Sequence, residues 1–78
     1  MRYTFVKGID DGLEIDLGTN VSIICAVMEI GKALDAITFE AEMNGSELLA
    51  FMNKFGVGKE FWDKIKEENR YIVTAFDW

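Results

Sequence analysis

Fourteen acidic side chains and no histidine limit the chemistry open to this chain. Without histidine the Ser-His and Cys-His nucleophile pairs drop out, as does every histidine-containing metal site. The carboxylates remain. Asp10, Asp11, Glu14 and Asp16 crowd one short stretch, but their spacing lacks the alternating ligands, glycine and late glutamate of a calcium loop. Glu40 and Glu42 stand two apart, so on a strand they share a face and keep it solvated. A glycosidase-like pair needs one carboxyl in a desolvated pocket, which 78 residues leave little room to build. The single cysteine, Cys25, lies in the most apolar run and reads as a core thiol rather than a nucleophile. Gly56-Val57-Gly58-Lys59 looks like the end of a phosphate-binding loop. Asn53 stands where that motif needs its first glycine, however, and Glu60 where it needs Ser or Thr. The expectation is a protein that is not an enzyme, with no catalytic residue, no metal and no cofactor.

The charge is unevenly spread. Residues 1–50 hold nine acids against three bases, and residues 51–78 hold five of each, so the whole balance of −6 falls in the first part. Such a field repels nucleic acid and membrane surfaces and attracts basic protein surfaces. It also serves solubility, as in many small acidic proteins. Half of the residues are hydrophobic and 13% aromatic, which argues for one folded domain over 1–78 rather than disorder. One cysteine allows no intrachain disulfide. Met1 to Lys7 lack the apolar run of a signal peptide, and no apolar run is long enough to span a bilayer. The expected location is cytoplasmic. Asn20-Val21-Ser22 and Asn44-Gly45-Ser46 match the glycosylation triplet, which carries no weight without secretion.

The elements that must carry these residues follow from periodicity. Arg2 to Lys7 reads as a strand with Tyr3, Phe5 and Lys7 on one face and Thr4 and Val6 on the other. Asp11-Gly12 signals a hairpin turn. Leu13 to Leu17 then alternates, with Leu13, Ile15 and Leu17 inward and Glu14 and Asp16 outward. Val21 to Ile30 is rich in β-branched aliphatics and is expected as a strand that is apolar on both faces. Its rival is a helix capped at Thr19 or Asn20, with Ile23, Val27, Ile30 and Leu34 at helical spacing. Ile37 to Met43 alternates most cleanly, turning Ile37, Phe39, Ala41 and Met43 inward. Asn44 with Glu47 forms a near capping box for a helix that ends at Gly56. A second helix is expected over Lys59–Glu68, with Lys59/Asp63 and Glu60/Lys64 as i,i+4 pairs, and a last strand over Arg70–Phe76.

The expected fold is therefore α+β, in the order β-β-β-β-α-α-β. Four or five mainly antiparallel strands carry two helices packed on one face. Phe39, Met43, Leu49, Met52, Phe55, Phe61 and Ile65 are the expected core.

On that scaffold Asp10, Asp11, Glu14, Asp16, Glu40 and Glu42 form an expected acidic docking patch, with Trp62, Tyr71 and Trp78 as candidate aromatic anchors. In size, acidity and lack of catalytic residues the chain resembles the broad class of phage-encoded anti-defence proteins, including anti-CRISPR inhibitors and DNA mimics. The likeness is one of general character and rests on no motif. It implies a small inhibitor that docks on a basic protein surface, such as that of a nucleic-acid-binding protein. The alternative is a structural homo-oligomer in which a second copy covers the apolar Val21–Ile30 strand.

Overall fold

The computed structural model describes residues 2–78. Eight elements follow in order: β1 (Arg2–Gly8), β2 (Glu14–Gly18), α1 (Val21–Ile30), β3 (Lys32–Ala33), β4 (Thr38–Asn44), α2 (Gly45–Phe55), a 3₁₀ helix (Lys59–Lys64) and β5 (Arg70–Asp77). The strands form one five-stranded sheet in the order β2-β1-β5-β4-β3. Every neighbouring pair is antiparallel. The fold is α+β, as expected.

Alternation along the strands divides the sheet. Val6, Ile15, Leu17, Ala41, Met43, Tyr71, Val73 and Ala75 point to one side, where they meet Ile23, Ile24 and Val27 of α1 and Leu48 and Met52 of α2. Both helices cover this side. Of the core expected from the sequence, Met43, Met52 and Ile65 are buried, while Phe39, Leu49, Phe55 and Phe61 pack half-buried around it.

One element departs from expectation. Val21–Ile30 is a helix and not a strand. The Asn20 side chain accepts hydrogen bonds from the Ser22 and Ile23 backbone N–H groups, which starts the helix. Ile23, Ile24 and Val27 then turn one stripe onto the sheet. β-branching opposes a helix by only tenths of a kcal/mol per residue, so packing overrides it. The helix ends earlier than the rival reading required, at Gly31. A Cβ on Gly31 would collide with the Glu40 carbonyl, so only glycine lets the chain pass this close to β4. Cys25 falls on the outward side of α1 and is exposed, contrary to its reading as core.

The fifth strand comes from Lys32–Ala33, which pairs with Glu40 and Phe39. The expected second α-helix is shorter and tighter, a 3₁₀ helix. It has no side-chain cap, and the Trp62 indole N–H donates back to the Val57 carbonyl at 2.9 Å. In contrast, α2 has the anticipated reciprocal cap. The Asn44 side chain accepts from Glu47 N at 2.8 Å, and Asn44 N donates to the Glu47 carboxylate at 3.1 Å. Both asparagines of the glycosylation-like triplets are thus helix caps.

Two substitutions probe this packing. Leu48 is fully buried, so Leu48→Ala should cost about 2–5 kcal/mol. Thr4 is also buried, and its hydroxyl has no hydrogen-bond partner among the described residues. Thr4→Val should therefore leave stability unchanged or raise it by about 1 kcal/mol. Urea unfolding of both variants checks the pair; a large loss in Thr4→Val would show that the hydroxyl is bonded.

Candidate functional site

The sheet face turned away from the helices is the candidate site. The same alternation that fills the core sends Tyr3, Phe5 and Lys7, Glu14 and Asp16, Thr38, Glu40 and Glu42, and Ile72, Thr74 and Phe76 outward. The pairing register lines them up in rows. One row runs across all five strands as Asp16, Phe5, Thr74, Glu40 and Lys32. The next reads Glu14, Lys7, Ile72 and Glu42. A third reads Tyr3, Phe76 and Thr38.

These rows build a stripe with two flanks. Tyr3, Phe5, Ile72 and Phe76 occupy the two middle strands of the face, and all four are half-buried. The Tyr3 and Phe76 rings lie 6.3 Å apart, and the Trp78 ring meets Phe76 edge-on at 6.0 Å. Glu14 and Asp16 on β2 line one side, and Glu40 and Glu42 on β4 line the other. The flanks are three strand spacings apart, about 14 Å. Lys7 interrupts the stripe at one end. The Tyr3 hydroxyl titrates above its ordinary value, first because of burial and then because of the Asp16 charge and hydrogen bond.

Two shallow hollows continue each other along this face. One, of about 370 Å³, has walls from Phe5, Lys7, Ile9, Ile72, Thr74 and Glu40. The other, of about 350 Å³, lies at the β4 edge beside Ile30, Gly31 and Lys32, and shares Glu40 and Ile72 with the first. Glu40 stands where they join. Its side chain is 26% exposed, and Lys32 Nζ, on a side chain 75% exposed, approaches to 3.8 Å.

The structure therefore separates the six carboxylates expected to form one patch. Glu14, Asp16, Glu40 and Glu42 share the open face, divided between its two flanks. Asp10 and Asp11 are engaged in holding the β1–β2 turn to the start of β5. Asp10 accepts from Arg70 N at 2.8 Å and from its guanidinium at 3.1 Å. Asp11 accepts from Leu13 N at 3.0 Å, Asn69 Nδ2 at 3.3 Å and the Tyr71 hydroxyl at 3.4 Å.

The expected anchors divide as well. Tyr71 is fully buried, and its hydroxyl accepts from Lys66 N at 3.0 Å, so it offers no docking surface. Trp62 is half-buried against the core, with its N–H donated to Val57. Trp78 alone of the three is exposed, at 56%, and it extends the aromatic stripe. Tyr3, Phe5, Ile72 and Phe76 are the site residues that sequence reasoning missed. The shared face of Tyr3 and Phe5 was visible in the alternation, and the outward carboxylates were expected, but the sequence did not show that Tyr3 and Phe5 lie on that same open face.

Among the described residues, no group of three or more Cys, Asp or Glu side chains is placed to hold a metal ion. No described helix is long and apolar enough to cross a membrane. Compared with protein-family models, curated proteins and solved structures, the chain matches none.

The turn carboxylates make a pH prediction. The Arg70 side chain, followed by its backbone N–H, holds Asp10 below the ordinary carboxylate range; the Leu13 N–H does so first for Asp11, and the Ile37 N–H for Asp35. Lowered values in the folded state mean that these groups stabilise the fold above the unfolded pKa of about 3.9, and that this contribution is lost as the pH falls through the folded values. Melting temperature should therefore decline below about pH 4. Asp11→Asn should melt lower than the parent at neutral pH and decline less steeply in acid, and thermal melts across a pH series read both effects.

Proposed function

We propose that this chain is a small non-enzymatic protein-binding module that docks a basic protein surface with the open face of its sheet. The observation that supports this reading is the uncovered aromatic and aliphatic stripe of Tyr3, Phe5, Ile72 and Phe76, flanked on both sides by carboxylates. Aromatic side chains concentrate interface energy, while flanking charges steer encounter and select partners of opposite sign. A standard interface takes roughly 800 Å² from each partner, about a sixth of the 4601 Å² this chain exposes. The carboxylates disfavour nucleic acid on this face despite its stacking rings. A basic surface that itself serves nucleic acid fits the charge best. Its occupation would block it, which is the inhibitory role implied by the general likeness to phage-encoded anti-defence proteins.

Removing the flanking charges tests this. Exposed ion pairs contribute about 0–1 kcal/mol each, so single changes should act weakly. Glu14→Gln, Asp16→Asn, Glu40→Gln and Glu42→Gln combined should leave the melt intact, slow association with a captured basic partner and flatten its salt dependence. Capture of the same proteins at the parent's rate across a salt series would reduce the flanks to a solubility feature.

A second reading rests on a different observation. The apolar strand that suggested a homodimer is absent, yet Val21, Met28, Ile30, Leu34 and Ile37 on and beyond α1 remain 37–58% exposed. A second copy packed over them would make a homodimer. Sedimentation at micromolar concentration decides it: a species heavier than the 8.9 kDa chain supports the dimer, and a clean monomer removes it.

A further inference from the structure

We propose that the trough centred on Glu40 is a seat for an arginine side chain of the basic partner, with the guanidinium on the Glu40 carboxylate and its flat face over the Phe5 ring. This deepens the docking proposal and rests on it. Glu40 joins the two hollows, and most of its side chain is covered by the sheet. Two cations stand near it: Lys32 is a loose partner at 3.8 Å, and Lys7 lines the same hollow but stands opposite Glu14 in the sheet, so the Glu40 carboxylate keeps acceptor positions for a ligand.

The surroundings select among ligands. A purely apolar group would strip water from Glu40 without pairing it, which is unfavourable. A cation on an apolar stem meets both demands, since Ile9 and Ile72 line the hollow that Glu40 closes. Between the two basic side chains the geometry favours arginine. Phe5, Thr74 and Glu40 are consecutive in one cross-strand row, which separates the ring-bearing and carboxylate-bearing strands by two spacings, about 10 Å. Ring and carboxylate line the same hollow, so one planar guanidinium seated there can stack on the ring and pair with the carboxylate. An ammonium is a compact, strongly hydrated point charge and offers no flat face. Lys32 illustrates the difference, reaching Glu40 while staying 75% exposed.

The test uses the isotope-labelled chain and three synthetic octapeptides in which leucine alternates with arginine, lysine or citrulline. The arginine peptide should shift the amide resonances of Phe5, Glu40, Ile72 and Thr74 and bind about two- to five-fold more tightly than the lysine peptide, the size of a cation–π contribution at an exposed site. The citrulline peptide keeps the planar group without the charge and should bind at least several-fold more weakly than the arginine peptide. Phe5→Leu should bring the arginine and lysine affinities together. Glu40→Gln should weaken both, and it carries the test if the Phe5 variant does not fold. Equal affinities for arginine and lysine in the parent, with shifts on this face, would overturn the arginine seat and leave basic docking standing. Shifts confined to the helical side, or no binding by either charged peptide, would overturn both.

Discussion

The antiparallel pairing of β1 with β5 is the constraint on which the rest of the structure depends. It joins the beginning and end of the chain at the centre of the sheet, from Arg2 opposite Asp77 to Gly8 opposite Tyr71. The pairing decides both faces at once. On one side it sets Val6 against Val73 and Tyr71 opposite Gly8, where a Cβ would collide with the Asp11 carboxylate. On the other it sets Phe5 against Thr74 and Tyr3 against Phe76. A one-residue slip would exchange these sets and put the core in water. Because these contacts span nearly the whole chain, their closure carries a large loop entropy. The Asp10–Arg70 pair and the Asp11–Tyr71 hydrogen bond sit at the end of this pairing and hold its register.

A chain of 78 residues has helix enough to cover one face of a five-stranded sheet. With α1 and α2 on the core side, the other face must satisfy water and still hold strands that pair through aromatic and β-branched neighbours. The compromise is visible in the rows, with mostly apolar side chains on the middle strands, Lys7 excepted, and charges outside them. Lys7 opposite Glu14 and Lys32 opposite Glu40 compensate part of the charge locally. The open face is thus less negative than the six clustered carboxylates of the sequence suggested. It is also more apolar. That combination favours a partner that brings both cationic and apolar groups.

Glu40 has a central place in this balance. It pairs with Thr74 on one side and Lys32 on the other, in the row that crosses the entire sheet. Its backbone carbonyl lies where Gly31 passes, so the end of α1 and the short β3 are fitted around it. The glycine at 31 is therefore tied to the shape of the β4 edge as well as to the helix stop.

Local signals in the chain determined a good part of this protein. The alternation of Leu13–Leu17 and of Phe39–Met43, the Asn44–Glu47 cap and the Gly56 stop each depend on neighbours a few residues away, so they were legible without tertiary information; Ile37, expected inward, lies before β4 and is exposed. The split of charge between residues 1–50 and 51–78 was legible too. The state of Val21–Ile30 was decided only in three dimensions. A run apolar at nearly every position satisfies either period, and its outcome depended on the sheet offering Ile23, Ile24 and Val27 a surface to cover. Tyr71 likewise combined an anchor's residue type with a core position, and the register at Gly8 placed it inside. The docking face was legible only in its carboxylates: alternation turned Glu14, Asp16, Glu40 and Glu42 outward, but did not show that Tyr3, Phe5, Ile72 and Phe76 lie between them. Alternation shows which side chains share a face, but which face the helices leave open is decided by where the chain crosses the sheet.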